Sequence, residues 1–213
     1  MARFPDPRYA QGDVVAMGED LRVETLREAY RKGIFPWPHD TVPLPWFSPR
    51  RRAVLFLHEL HTGRSLQKAA KRSTLTFSID RDFSSVIAAC AAMPRPDQDG
   101  TWIHPNIISA YTKLHEAGDA HSIEAWQGEE LVGGLYGVDA GGLFTGESMF
   151  HHQPDASKPA PLFLADHLRA RGATLIDCQV MTPHMEALGA REIARGKFLD
   201  LLAEAQAKGT KLF

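Results

Sequence analysis

From His121 to Cys178 the chain spells out three strands, a helix and one more strand, and few folds accommodate that order. The segments HSIEAWQ, ELVGGLYGV and GLFTGESMF are joined at Gly128 and at Ala140-Gly141-Gly142. Connections that short demand antiparallel neighbours. After a loop from His151 to Ser157, Leu162 to Ala170 reads as a helix ended by Gly172, and Ala173 to Cys178 as a buried strand. A strand that returns through a helix lies parallel to the one it left.

Two helices precede this run. Asp80 is expected to cap the first, whose apolar stripe is Phe83, Val86, Ile87, Cys90 and Met93 and which the Pro94 and Pro96 loop ends. Pro105 opens the second, carrying Ile107, Ile108, Tyr111 and Leu114 and stopping at Gly118. A closing helix, Lys197 to Ala207, presents Phe198, Leu201, Leu202 and Ala205. The resulting order, ααβββαβα, resembles that of GNAT-type acyltransferases. The expected fold class is therefore mixed α/β (α+β), with a GNAT-like mixed-sheet domain over residues 75–213 behind a small N-terminal α/β domain over residues 1–74. Paired glycines inside a strand, Gly133 and Gly134, suggest a bulge that opens backbone groups to a substrate.

In the N-terminal part, Glu24 to Lys32 reads as a helix burying Leu26, Ala29 and Tyr30 and stopped by Gly33. Ile34 to Pro49 holds five prolines and four large aromatics, too much proline for a sheet ladder, so an ordered loop is expected. Arg52 to Leu57 and Thr74 to Ile79 read as strands, with a helix from Gly63 to Arg72 between them, capped by Thr62.

The balance of 44% hydrophobic and 23% charged residues excludes disorder, collagen and coiled coil. No apolar run approaches the ~18 residues of a membrane span, and MARFPDPRYAQGD lacks the apolar core of a signal peptide, so a cytoplasmic protein without membrane contact is expected. Cys90 and Cys178 sit in apolar runs, as reduced thiols do. A monomer is the default.

The net charge of -2 hides an asymmetry. Residues 1–80 carry 13 basic and 9 acidic side chains, whereas the rest of the chain carries 11 and 17. Between Arg50 and Arg72 seven basic residues face one acid, Glu59, and Arg64, Lys68, Lys71 and Arg72 share one helical face. A polyanion is the natural partner of such a face; a solvated helix surface is the plainer reading.

Two strands that should be apolar are interrupted by polar groups. Glu147 interrupts GLFTGESMF, and Asp177 and Gln179 interrupt LIDCQ with the i, i+2 spacing that puts both on one face. An acid buried in a sheet is either paired or part of a site. GxSxG, Walker A, GxGxxG and HExxH are all absent, which leaves hydrolase, nucleotide and zincin readings without support. Residues 151–161, HHQPDASKPAP, lack the Arg/Gln- and Gly-rich pyrophosphate loop of coenzyme A enzymes. The ten histidines show no metal-ligand spacing.

The segments GIFPWP, WFSPRRRAVL, GTWI, AYTKLHEAGDAHSIEAW, ELVGGLYGV, FTGESMF, DASK, LIDCQ and LGAREI resemble, in unbroken order from about Asp20 to Phe198, those of leucyl/phenylalanyl-tRNA protein transferases. The resemblance implies a bacterial N-end rule enzyme. It would move Leu, Phe or Met from the 3′ end of an aminoacyl-tRNA onto proteins with N-terminal Arg or Lys, marking them for degradation, with no metal or coenzyme. By the same resemblance Gln179, held by Asp177, accepts a hydrogen bond from the attacking amine, and Asp177 supports the developing charge. Glu147 is the counter-charge for the cationic acceptor. Leu135, Phe144, Leu164 and Leu168 match the pocket for the aminoacyl side chain, and Trp46 or Phe47, with Trp102 and Tyr111, match the adenosine site. Arg64, Lys68, Lys71 and Arg72 would track tRNA phosphates. Pro159 and Pro161, at the start of the helix after DASK, depart from the family pattern and bear on pocket shape. Two other readings stand beside this one: an RNA-binding module without catalysis, and an acyl-CoA-dependent N-acetyltransferase.

Overall fold

The structure, a computed structural model, describes residues 4–18, 20–38, 43–63, 74–93, 101–152 and 159–213. In chain order its elements are β1 (Val14–Met17), α1 (Val23–Arg31), β2 (Phe35–Pro36), β3 (Pro45–Phe47), β4 (Arg51–Phe56), β5 (Thr76–Ile79), α2 (Phe83–Ala92), α3 (Pro105–Glu116), β6 (Ala120–Gln127), β7 (Glu130–Asp139), β8 (Phe144–His151), α4 (Pro159–Ala170), β9 (Leu175–Gln179), α5 (Pro183–Ala187), β10 (Arg191–Ala194) and α6 (Arg195–Lys208). Residues 64–72 of the expected helix, with its basic face, and the loop around DASK lie outside the described residues, as do Pro94 and Pro96.

Seven strands form one mixed sheet in the order β10-β4-β9-β8-β7-β6-β5. All neighbours are antiparallel except β8 and β9, the parallel pair expected from the helical crossover. Gly128 (φ 62°), Gly141 (φ 94°) and Gly142 (φ 101°) make the two turns of the meander in left-handed conformations that a side chain disfavours. Alternation along the strands feeds two cores. Val54, Tyr136 and Leu175 pack with α1, α2, α3 and α6 on one face, and Leu55, Leu135 and Ile176 pack with α4 on the other. The sheet is thus a middle layer with apolar groups on both sides.

Three local expectations change. Asp82, not Asp80, caps α2, accepting from the Ser85 amide at 3.0 Å. Asp80 instead adopts φ 58° and accepts from the Ser122 amide at 2.8 Å. Gly133 and Gly134 pair regularly with Ala125 and Glu124; the extra residue on that edge is Val132, next to them. Gly134 is needed for closeness, since a Cβ there would sit 2.7 Å from the Ile123 carbonyl oxygen. The proline-rich stretch contains strands after all: β3 pairs with β2 on one side and with β1 on the other in a three-stranded sheet. Its strands are only two to four residues long, and the prolines still offer carbonyls, as when Trp37 N–H donates to Pro45 O at 3.2 Å.

The seven-stranded sheet takes strands from both sides of residue 74. β4 lies between β10 and β9, and β10 and α5 are elements the sequence pattern did not announce. Among the described residues, no helix is long and apolar enough to cross a membrane.

Candidate active site

β8 and β9 pair through only two positions, Phe144 with Ile176 and Thr145 with Asp177. Beyond them the ladder stops, and each strand carries a backbone irregularity at a polar residue. On β8, Gly146 faces Gly137 and Ser148 faces Tyr136, so Glu147 is the extra residue of a bulge. On β9, Gln179 closes the strand at φ 62°. Bulges and left-handed non-glycine residues re-aim side chains out of the regular pleat. Here both face a cavity of about 550 Å³.

Apart from this polar edge and from Ser148, Thr182 and His184, the cavity is apolar. Leu135, Phe144, Leu164, Met149, Met185 and Leu188 line it, and Trp37 and Trp102 add indole rings. Its size suits an amino-acid side chain together with part of a larger ligand.

The two carboxylates beside it have different company. Asp177 is fully buried, and its oxygens accept from Arg52 Nε at 2.7 Å and Arg52 Nη2 at 2.6 Å. It also accepts from Thr145 Oγ1 at 3.0 Å and from the Gln179 backbone amide at 2.9 Å. The Arg52 guanidinium is itself sandwiched between the rings of Phe35 and Phe198, 4.7 and 4.5 Å from their centroids, and donates to the Gly33 carbonyl. The charge of Asp177 is therefore matched. It also holds the backbone of Gln179.

Among the described residues, Glu147 hydrogen-bonds only neutral donors. Its Oε1 accepts from Tyr30 Oη at 2.6 Å and from Gln179 Nε2 at 2.7 Å, and its Oε2 lies 3.5 Å from Tyr111 Oη. The Tyr30 and Tyr111 hydroxyls hydrogen-bond each other. Protein atoms crowd this carboxyl although the cavity reaches it. That desolvation, with a smaller push from the Asp177 charge, raises it from 4.5 to about 7 against the lowering effect of the hydrogen bonds from Tyr30 and Gln179 and of the Arg52 charge. Burial, and then the Glu147 charge, also hold both phenols well above their ordinary value. Since a carboxylate only accepts, Gln179 turns its NH₂ to Glu147 and keeps its amide oxygen as an acceptor.

The other residues singled out in the sequence separate into three groups. Leu135, Phe144, Leu164, Trp102 and Pro161 line the cavity. Leu168 is fully buried in the core beneath it. Trp46 is also fully buried, tilted against Phe4 at 4.8 Å, and drops out as a stacking platform. Phe47 is half-buried against Phe35 and Trp37. Tyr111 likewise has no open face; its contribution is the hydroxyl near Glu147. Arg64, Lys68, Lys71 and Arg72 lie outside the described residues. The sequence reading missed Arg52, Tyr30 and Trp37. Arg52 carried a signal of the same kind as Asp177: a charge at the start of an apolar strand, RAVLFL, that burial obliges to find a partner.

Residues 54–203 match the family described as leucyl/phenylalanyl-tRNA protein transferase, and residues 19–50 match its N-terminal domain. The chain is 49% identical over 208 residues to the leucyl/phenylalanyl-tRNA--protein transferase of a Shewanella species, covering 96% of this chain and 88% of that one. It is 50% identical over 207 residues to the protein of that name from Pectobacterium carotovorum, covering 96% and 87%. Among solved structures, L-PGS from Bacillus licheniformis superposes with a TM-score of 0.48 at 13% identity, over 88% of this chain and 71% of that one. The bulged glutamate, the left-handed glutamine and the cavity between them thus sit within the span of the family match, and on that match and these identities the chain belongs to the leucyl/phenylalanyl-tRNA protein transferase family.

Proposed function

We propose that the protein transfers an aminoacyl group from tRNA to the α-amine of proteins that begin with Arg or Lys, the donors being Leu, Phe or Met. The observation that carries this reading is the largely apolar cavity at which Glu147 and Gln179 meet, hydrogen-bonded to each other. The apolar part takes the aminoacyl side chain, with Leu135, Phe144 and Leu164 as its walls. Trp37 and Trp102 offer faces for the terminal adenosine. Arg64, Lys68, Lys71 and Arg72 supply phosphate contacts that position the acceptor stem without reading sequence.

An aminoacyl ester is already activated, so the chief task is to hold an amine against its carbonyl carbon. Gln179 does this through the amide oxygen that Glu147 leaves available. Its orientation is fixed twice, by Asp177 at the backbone and by Glu147 at the side chain. The protein cations and the amine are drawn toward Glu147.

Incubation with Leu-, Phe- and Met-charged tRNA and an Arg-started peptide tests the reading and ranks the donors. Peptide extended at its N-terminus is expected. Binding of tRNA without any transfer would instead identify an RNA-binding module, and retention on immobilised coenzyme A an N-acetyltransferase. Gln179→Ala should lower turnover by about 100-fold with both substrates saturating, because a misplaced amine loses effective concentration that extra substrate does not restore.

A further inference from the structure

Glu147 touches the residue to which the transfer reading assigns the attacking amine. The group it holds at 2.7 Å is Gln179 Nε2, and Gln179 is the residue that orients the α-amine. One carboxylate oxygen, Oε1, is filled by two donors, Tyr30 Oη and Gln179 Nε2. The other, Oε2, has Tyr111 Oη at 3.5 Å, too long to be a strong bond.

Resting on the transfer reading above, we propose that Glu147 is the proton shuttle of the reaction, taking a proton from the attacking α-amine on Oε2 and returning it to the leaving ribose oxygen. As the neutral amine attacks, the C–N bond forms and the carbonyl π pair moves onto oxygen. An N–H proton passes to Oε2. As the intermediate collapses, the ester C–O bond breaks, and the ribose oxygen that leaves with that pair receives the proton. Atoms and charge balance with no further reactant.

A neutral amide such as Gln179 is too weakly basic to hold that proton, so it positions while Glu147 transfers. Groups on every packed element bear on the carboxyl: Tyr30 on α1, Tyr111 on α3, Asp177 and Gln179 on β9, and Arg52 on β4. His184 on α5 lines the same cavity. Together they bring the carboxyl to about 7, where a group both accepts and returns a proton readily. Tyr30 is a positioning residue: its hydrogen bond favours the charged form and keeps that value from climbing further.

The experiment is the single-turnover transfer rate against pH, with charged tRNA bound and Arg-started peptide saturating. In the unmodified protein the logarithm of the rate should fall on the acid side with a slope approaching two, one proton for the amine and one for Glu147. Glu147→Gln should be about 100-fold slower or more, with a slope of one, while tRNA binding persists and reports an intact fold. Tyr30→Phe should move the acid limb to higher pH and leave the alkaline rate near that of the unmodified protein. If Glu147→Gln raises only the peptide KM, with rate and slope unchanged, Glu147 is a counter-charge and the shuttle is overturned. Unmodified protein that makes no extended peptide from any donor would overturn the transfer reading itself.

Discussion

Asp177 and Glu147 stand on adjoining strands beside the same cavity, yet one is locked and the other adjustable. Asp177, paired in register with Thr145, meets a guanidinium through two short bonds and fills its remaining capacity with a hydroxyl and an amide. Glu147, two residues further along β8, meets phenols and an amide. Asp177 is fully buried and Glu147 half-buried at the cavity, and the charge of their partners differs as well. An acid bound to a cation is held in place, whereas Glu147, desolvated among neutral donors, is raised to about 7. The site uses the first to hold Gln179 and leaves the second free to change charge.

Breaking the fixture should have the largest effect. Arg52→Ala strands the Asp177 carboxylate in a dry interior and should cost about 3 to 5 kcal/mol in denaturant unfolding. An effect below about 1 kcal/mol would mean that Asp177 does not depend on the pair. The adjustable carboxyl should show itself instead as a pH dependence. Its value is raised on folding from 4.5 to about 7, so the folded chain holds that proton more tightly than the unfolded one. Its contribution to stability is full below pH 4.5 and is lost as pH rises through about 7, amounting to about 3 kcal/mol across the window. Glu147→Gln should flatten that decline. A decline of the same depth in the variant would assign it to other groups.

Much of the architecture was legible because it is written locally. The glycine turns, the apolar stripes of α1, α2 and α3, and the polar interruptions at Glu147, Asp177 and Gln179 are all short-range patterns. What escaped depends on which strands become neighbours. Arg52 and Asp177 are far apart in sequence and meet only because β4 lies beside β9. Tyr30 reads as one more apolar residue on a helix face, because its ring packs in the core and only its hydroxyl reaches the site. Among the indoles, Trp46 and Trp37 have similar surroundings in sequence. Pairing in the small sheet buries the first and leaves the second on the cavity wall. β10 escaped because its four residues, REIA, pattern weakly and are held by β4 rather than by their own propensity.

The contrast between the two acids rests most directly on the titration of one carboxyl. With ¹³C-labelled glutamate, the resonance that disappears in Glu147→Gln is that of Glu147, and its chemical shift can be followed from pH 3 to pH 9 in roughly unit steps around the ordinary carboxyl range. The account predicts a midpoint of about 7. A midpoint at the ordinary 4.5 would contradict it.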